Sequence, residues 1–483
     1  MSGPGYILNS MGLTRTIADA LAGIVGPRHV RTARAERATF AADGLPTHHS
    51  VPDVVVLPGS AEEVRDVVRL LARESVPFVA RGAGTGLSGG ALAGGPAVLI
   101  VLTRLSRILQ VDAANRRAVV QPGVVNASLT RAAAPFGLYY APDPSSQAAC
   151  TIGGNVAENA GGPHCLKYGV TTNHIQCLDV VLPDGELVRL GSASGEPWGP
   201  DLVGLFVGSE GMFGIAVTAT VRLVPLPAEV RTMLADFPTL RAAGEAVGRI
   251  IGAGIVPAAL EMMDQSTVQL VERSVYAAGY PTDCAAVLLV ETDGRPRGAA
   301  AEAEHARELC LASGARGVRV ATNAAERDRL WQGRKKAFGA MGRASADLVV
   351  QDAVVPRTAL PEVLEAITGI AARHRVRVSN VFHAGDGNLH PNLSFDARDP
   401  DELARVQAAS AEIMRVCVEA GGSITGEHGV GIDKLAYMPL TFGPDDLGAM
   451  AAVRSAFDPA GLANPGKVIP SHACREWRPW SSS

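Results

Sequence analysis

The sequence predicts an α+β protein of two domains, and three observations carry that expectation. The chain is 483 residues long, roughly three times a typical domain. Short β-branched runs closed by Gly and Pro turns recur beside stretches of helical apolar spacing. At Pro225-Leu226-Pro227 the pattern changes, from short strands among glycine-rich turns to strands alternating with long helices. The expected division is an N-terminal cap over 1–48, a first domain over 49–227, a second over 228–470 and a tail over 471–483.

In chain order, Thr14 to Ile24 has helical spacing and leads through Pro27 to an acidic, His-containing loop, Asp43 to His49. Val54 to Leu57 reads as a strand closed by Pro58-Gly59-Ser60, with a helix over Ala61 to Arg73. Ser60 is its N-cap, and Glu62 and Glu63 sit favourably in its first turn. Phe78 to Ala80 is a strand that runs into a glycine-rich loop, and Ala97 to Leu102 is another. Further strands are expected at Ala118–Val120, Val180–Leu182, Leu187–Leu190 and Ile215–Leu223, making a mixed sheet region. Beyond Val230, strands at Ala286–Glu291, Val318–Ala321, Leu348–Val350 and Val376–Val381 alternate with helices over Ala242–Ile251, Ala299–Ala312, Leu360–Arg373 and Asp401–Ala420.

Composition narrows the function. With 47% hydrophobic residues and a net charge of −4, the chain is too apolar and too weakly charged to be disordered. The same balance lacks the basic footprint of a nucleic-acid binder. Seven scattered Cys without a C-x-x-C pair argue for reduced thiols and against an iron–sulfur cluster in this chain. No signal peptide is evident, and the longest apolar runs fall far short of the roughly 20 residues of a membrane span. A cytoplasmic protein is expected, peripheral at the inner membrane only through partner subunits.

The 53 Gly are concentrated where chemistry is expected. Arg81 to Gly90 places five of them directly after a strand, so that bare amides can curl around an anionic group. Gly84-Thr85-Gly86-Leu87-Ser88-Gly89 spells G-x-G-x-x-G, yet Gly90, Gly94, Gly95 and Pro96 argue against the helix that the dinucleotide fingerprint requires. A second segment runs Pro142-Asp143-Pro144-Ser145-Ser146, Cys150-Thr151-Ile152-Gly153-Gly154-Asn155 and Asn159-Ala160-Gly161-Gly162, and a third Val207 to Ile215. Three such segments in one domain point to a large, polar, extended cofactor.

Pro77–Gly90, Tyr140–His174 and Glu210–Ile215 resemble the flavin-binding, PCMH-type domain of the vanillyl-alcohol-oxidase-type flavoproteins. The continuation to Pro465-Gly466-Lys467 resembles their D-2-hydroxy-acid dehydrogenase branch, with its FAD-linked-oxidase C-terminal domain. The resemblance covers nearly the whole chain and implies FAD, its pyrophosphate over Arg81, Gly82, Gly84, Thr85, Gly86, Ser88 and Gly89. The flavin contacts it implies further are Pro142, Asp143, Ser146, Thr151, Gly153, Gly154, Asn155, Asn159, Gly161, Glu210, Gly214 and Ile215. Family members that bind flavin covalently use a His where this chain has Thr85, so a dissociable FAD is expected.

The second chemical centre is Val381-Phe382-His383-Ala384-Gly385-Asp386-Gly387-Asn388-Leu389-His390-Pro391-Asn392. Asp386-Gly387 is a type I′ hairpin signal, and a two-residue loop there would set His383 opposite His390, with Asn392 on the same face. Gly426-Glu427-His428-Gly429 offers a carboxylate beside a third imidazole. His383, His390 and Glu427 would make a two-His, one-carboxylate site with open positions. The resemblance agrees, implying zinc or manganese on these three residues and substrate contacts from Asn392 and His428. In Trp331-Gln332-Gly333-Arg334-Lys335-Lys336, Arg334 is the candidate for a substrate carboxylate, since only a guanidinium grips it bidentately. Relatives acting on 2-hydroxyglutarate use Thr and Lys where this chain has Phe338 and Val350, which favours a small monocarboxylate.

The expected activity is oxidation of glycolate or D-lactate between the domains. Arg334 would hold the carboxylate, the metal the hydroxyl, and His428 would take its proton as hydride moves to flavin N5. The resemblance also implies a second flavin-domain-like subunit and an iron–sulfur subunit as electron partners. A stand-alone D-lactate dehydrogenase with a quinone or cytochrome acceptor is the near rival. A metallohydrolase using His383, His390 and Glu427 to activate water is the rival from another class.

Overall fold

Val54, Val55 and Val56 are all buried because both faces of their strand are covered, Val54 and Val56 on one side and Val55 on the other. The computed structural model, which describes residues 10–45, 47–195 and 199–470, sets them in a four-stranded sheet ordered Val30–Arg31, Val54–Val56, Val98–Val101, Phe78–Arg81. The last three strands run parallel. The first nine residues of the expected cap, Pro46 of the acidic loop and the 471–483 tail lie outside the described residues. Helix Ala61–Arg73 forms as the sequence predicts, Ser60 Oγ accepting from Glu63 N at 3.1 Å, and buries Val64, Val67, Val68 and Leu71 against the sheet.

A second, antiparallel sheet follows in the order Ile108–Asp112, Arg117–Val120, Ile215–Arg222, Ile175–Val181, Leu187–Gly191. One segment departs from expectation. Ile152–Glu158, two of whose first three residues are glycine, is a helix. Thr151 Oγ1 caps it by accepting from Gly154 N at 3.3 Å. Close packing selects Gly153, since a Cβ there would lie 2.6 Å from Pro122 Cβ. Tertiary fit therefore outweighs the roughly 1 kcal/mol that each interior helical glycine costs.

The second half is built on a sheet ordered Gly317–Val320, Glu229–Phe237, Ala286–Gly294, Ala259–Asp264, Arg377–His383, Asn388–Leu389, Ala353–Val354. Pro391–Phe395 joins it by pairing with both Arg377–His383 and Asp347–Val350. Alternation assigns its faces. Leu260, Met262, Leu288 and Val290 meet helices Leu240–Gly252, Pro296–Ala312, Leu360–His374 and Pro400–Glu419. Met263, Leu289 and Val381 face the other way, toward helices Gln265–Glu272, Ala324–Lys335 and Ala337–Met341.

The end of the chain returns to the first half. Phe457 stacks on Phe213 at 4.6 Å, Ala463 bridges Phe78, and Lys467 Nζ donates to Leu92 O at 2.9 Å. Residues assigned by sequence to the second domain thus help to build the first.

Candidate active site between the two halves

A cavity of about 460 Å³ lies between the two halves. Of the expected flavin contacts, Arg81, Gly82, Gly84, Thr85, Gly86, Ser146, Thr151, Gly153, Gly154, Asn155, Gly161, Glu210, Gly214 and Ile215 line it. Arg334, His383, His390, Glu427 and His428 line it from the other half. The halves meet closely at Gly161, where a Cβ would lie 2.6 Å from Glu427 Oε2; any side chain there would displace the carboxylate.

Five expected contacts stand behind the cavity wall. Ser88 is fully buried and its carbonyl accepts from Ile432 N at 2.9 Å. Gly89, at φ +76, lies against Ile432. Pro142 O accepts from Asn126 Nδ2 at 2.9 Å, Asp143 pairs with His164 at 2.8 Å, and Asn159 Oδ1 accepts from Thr172 N at 2.9 Å. Arg81 lines the cavity, but its guanidinium donates to Ala42 O at 2.8 Å and fastens the N-terminal cap.

The hairpin register differs from the one expected. His383 pairs with Asn388, leaving a four-residue loop over 384–387. Asp386 Oδ1 accepts from Asn388 N at 3.2 Å, and Gly387, at φ +78, donates to Ala384 O at 3.3 Å. The aspartate side chain thus closes a wider turn than the I′ form. His390 falls in the gap between Asn388–Leu389 and Pro391–Phe395, and yet its ring stands 5.2 Å from that of His383, edge to face.

His383 Nδ1 lies 2.8 Å from Glu261 Oε1 and His390 Nδ1 3.2 Å from Gln351 O. Both partners only accept, so each Nδ1 carries hydrogen and each Nε2 is left toward the same atom, Glu427 Oε1, at 3.1 Å. Ligand atoms of His383, His390 and Glu427 come within 4.8 Å of one another, as do those of Asp352, His390 and His428. Burial disfavours the Glu427 carboxylate, but His383 and His390 outweigh it and hold its pKa well below the usual range. His428 stacks flat on His390 at 4.9 Å. Burial brings its pKa down to about 4, against the opposing pull of Asp352, so it is neutral at ordinary pH.

Two acidic residues that the sequence reading passed over organise the site. Glu261 is fully buried, and its Oε2 takes Arg334 Nε at 2.7 Å and Nη2 at 2.6 Å while the same carboxylate takes His383. Asp352 accepts from Gly426 N at 3.1 Å, His428 N at 3.0 Å and Thr425 Oγ1 at 2.6 Å, with Lys434 Nζ at 2.9 Å. It is the anchor of the turn that presents Glu427 and His428. The available signal was an acid interrupting an apolar run, Glu261 in Ala-Leu-Glu-Met-Met-Asp over 259–264 and Asp352 between the strands Asp347–Val350 and Ala353–Val354.

Asn392 does not line the cavity. It is fully buried, its Nδ2 donating to His390 O at 2.6 Å and Ser379 O at 3.2 Å, so it holds the backbone beside a ring of the cluster. Lys335, Phe338 and Val350 do line the cavity.

A family model described as FAD binding domain matches residues 52–191, and one described as FAD linked oxidases, C-terminal domain, matches residues 226–468. The glycolate oxidase subunit GlcD of Escherichia coli (strain K12) is 49% identical over 439 residues, 91% of this chain and 88% of that protein. That of Bacillus subtilis (strain 168) is 39% identical over 95% of this chain and 98% of its own. A D-lactate dehydrogenase of Anaerostipes hadrus is 35% identical over 86% of this chain and 89% of its own. In fold, the chain resembles p-cresol methylhydroxylase with substrate bound (TM-score 0.80, 15% identity, 95% of this chain and 97% of that one). It also resembles 4-ethylphenol oxidase from Gulosibacter chungangensis (TM-score 0.77, 21% identity, 97% and 99%).

Proposed function

Because this chain belongs to the FAD-linked oxidase family, with the FAD-binding and C-terminal domains in order, we propose that it oxidises a small D-2-hydroxy acid, glycolate or D-lactate, to the 2-oxo acid. The observation that carries the proposal is one cavity walled by the glycine segments on one side and by Arg334, His383, His390, Glu427 and His428 on the other. FAD, held there without a covalent bond, supplies a hydride acceptor at N5. A zinc or manganese ion on His383, His390 and Glu427 supplies a Lewis acid for the substrate hydroxyl. The donor set fits such an ion, since the Nε2 atoms of both imidazoles converge on one carboxylate oxygen, where an ion would take the place of the Nε2 hydrogens, and each ring is oriented through Nδ1.

This chain's residues do the rest. Arg334 gives Nε and Nη2 to Glu261, which leaves Nη1 to donate to a substrate carboxylate. Neutral His428 accepts the hydroxyl proton at Nε2, an atom 3.9 Å from Glu427 Oε1. Lys335 lines the cavity as well, but Phe338 and Val350 present apolar surface to it and offer a second substrate carboxylate no partner at those two positions; this favours a monocarboxylate.

Electrons then leave through a second flavin-domain-like subunit and an iron–sulfur subunit. Two observations support this: relatives at 49% and 39% identity are named as subunits, and the six described cysteines are all unpaired and hold no cluster spacing. Resemblance to a D-lactate dehydrogenase supports a second reading, direct delivery to a quinone or cytochrome. No helix among the described residues is long and apolar enough to cross a membrane, so a place at the inner membrane would come through those partners.

The test is a purified protein that is yellow and bleaches anaerobically with glycolate or D-lactate. A colourless protein that hydrolyses substrates with its His–Glu centre would overturn the proposal in favour of the metallohydrolase.

A further inference from the structure

His164 sits where the two halves of the molecule touch, away from the cavity wall. It follows Gly161-Gly162-Pro163 in the flavin-binding half, and its ring stacks on Trp331 of the other half at 5.5 Å between centroids and 29° between planes. Its Nδ1 lies 2.8 Å from Asp143 Oδ2 and its Nε2 3.3 Å from Glu291 Oε1. Both partners accept, so both ring nitrogens are donors and the ring is an imidazolium. Burial opposes that charge, but Asp143 and Glu291 outweigh it and raise the pKa to about 10.

Glu291 has a second task. Its Oε2 takes Trp331 Nε1 at 2.6 Å and Thr232 Oγ1 at 2.5 Å. Trp331 and Arg334 are three apart on helix Ala324–Lys335 and so lie on one face of it. Their partners share a sheet face too. Ala259 pairs with Glu291 and Glu261 with Leu289, which puts Glu261 and Glu291 on the same side of the sheet. The helix that carries Arg334 is therefore pinned at two points, Arg334 to Glu261 and Trp331 to Glu291, and the second pin is clamped from the flavin-binding half by His164.

We propose that His164 is a positioning residue for Arg334: it joins Asp143 to Glu291 and stacks on Trp331, setting the distance between the Arg334 guanidinium and the flavin-binding half of the cavity. The proposal rests on the hydroxy-acid reading above. Such a clamp is required because hydride transfer tolerates little error in placement; a displacement of about 1 Å can cost about a hundredfold. The same interface contains an internal control. Lys167 and Tyr168 both bind Asp293, two residues beyond Glu291 on the same strand, without either bond reaching helix Ala324–Lys335.

The test uses FAD-loaded protein and oxalate, an unreactive dicarboxylate, with binding read from the perturbed flavin absorbance. His164→Gln keeps bulk and loses the charge; it is expected to weaken oxalate about tenfold and to raise KM for the hydroxy acid more than it lowers kcat, at unchanged FAD content. Lys167→Ala should leave oxalate binding within about twofold of wild type, since its bond to Asp293 does not reach the helix that carries Arg334. Tryptophan emission should change on His164→Gln and not change when His164→Gln is made in a Trp331→Phe background. Oxalate binding by His164→Gln equal to wild type, or an equal loss in Lys167→Ala, overturns the inference alone. A wild-type protein that neither binds oxalate nor bleaches with any 2-hydroxy acid overturns the proposed function, and this inference with it.

Discussion

Glu261 Oε2 lies 2.6 Å from Arg334 Nη2, both residues almost wholly out of water, and the same carboxylate lies 2.8 Å from His383 Nδ1. One buried acid therefore orients the arginine proposed for the substrate carboxylate and an imidazole proposed for the metal. Burial raises its pKa, but Arg334 and His383 outweigh that and hold it below the ordinary value.

Glu261→Gln should keep the shape and lose the charge. Removing one partner of a buried pair strands the other, at about 3–5 kcal/mol, and the loss of a carboxylate behind a ligating imidazole weakens metal about 10–100-fold. Metal content per protein and kcat/KM, measured on the same sample, should fall together. Full metal content in an inactive variant would limit the role of Glu261 to Arg334.

Asp352→Asn should act on the other side of the cluster. The amide keeps one acceptor oxygen for the Gly426 and His428 amides but cannot neutralise Lys434, 2.9 Å away. Turnover should drop by about two orders of magnitude while FAD stays bound, because the turn presenting Glu427 and His428 is loosened and the glycine segments are untouched. Loss of flavin together with turnover would contradict that separation.

Much of this site was legible in the sequence because its signals are local. The glycine segments, Arg334 and the His383–His390 and Glu427–His428 pairs are each contiguous runs whose chemistry can be read in place. Glu261 and Asp352 were not legible, since a buried acid within a strand, or in the short link between two, looks like any other break in the apolar pattern until its long-range partners are known. The His383–His390 register was misplaced for a related reason: Asp386 could close either a two- or a four-residue loop, and the neighbouring strand Ala353–Val354, which pairs with Asn388–Leu389, is distant in sequence. Helix Ile152–Glu158 was hidden by its glycines, although Thr151 was a usable cap signal.

Glu158 provides a pH prediction. It lines the cavity, half-buried beside Glu210, and loss of water first, then Glu210, raises its pKa well above 4.5. The folded protein therefore binds a proton there that the unfolded chain releases, so from about pH 4.5 upward stability falls until the folded group itself titrates. Glu158→Gln should remove that part of the decline, seen as a flatter Tm-against-pH curve above pH 5. A curve parallel to wild type would show that Glu158 is not the group responsible.

Val350→Lys should shift specificity. A cation at this cavity-lining position gives a second carboxylate a partner where the wall is now apolar, so the ratio of kcat/KM for D-2-hydroxyglutarate to that for D-lactate should rise about tenfold or more. An unchanged ratio would mean that the distal end of the substrate does not reach Val350.

The joint action of the two halves is tested most directly by following the anaerobic bleaching of the FAD-loaded protein by stopped flow, with glycolate carrying hydrogen or deuterium at C2, in wild type and in His390→Ala. Rapid bleaching that deuterium slows several-fold is expected in wild type, and bleaching at least about a hundredfold slower in His390→Ala with FAD still bound. Bleaching at the wild-type rate in His390→Ala would contradict the claim that the histidine cluster and the glycine segments act on one substrate.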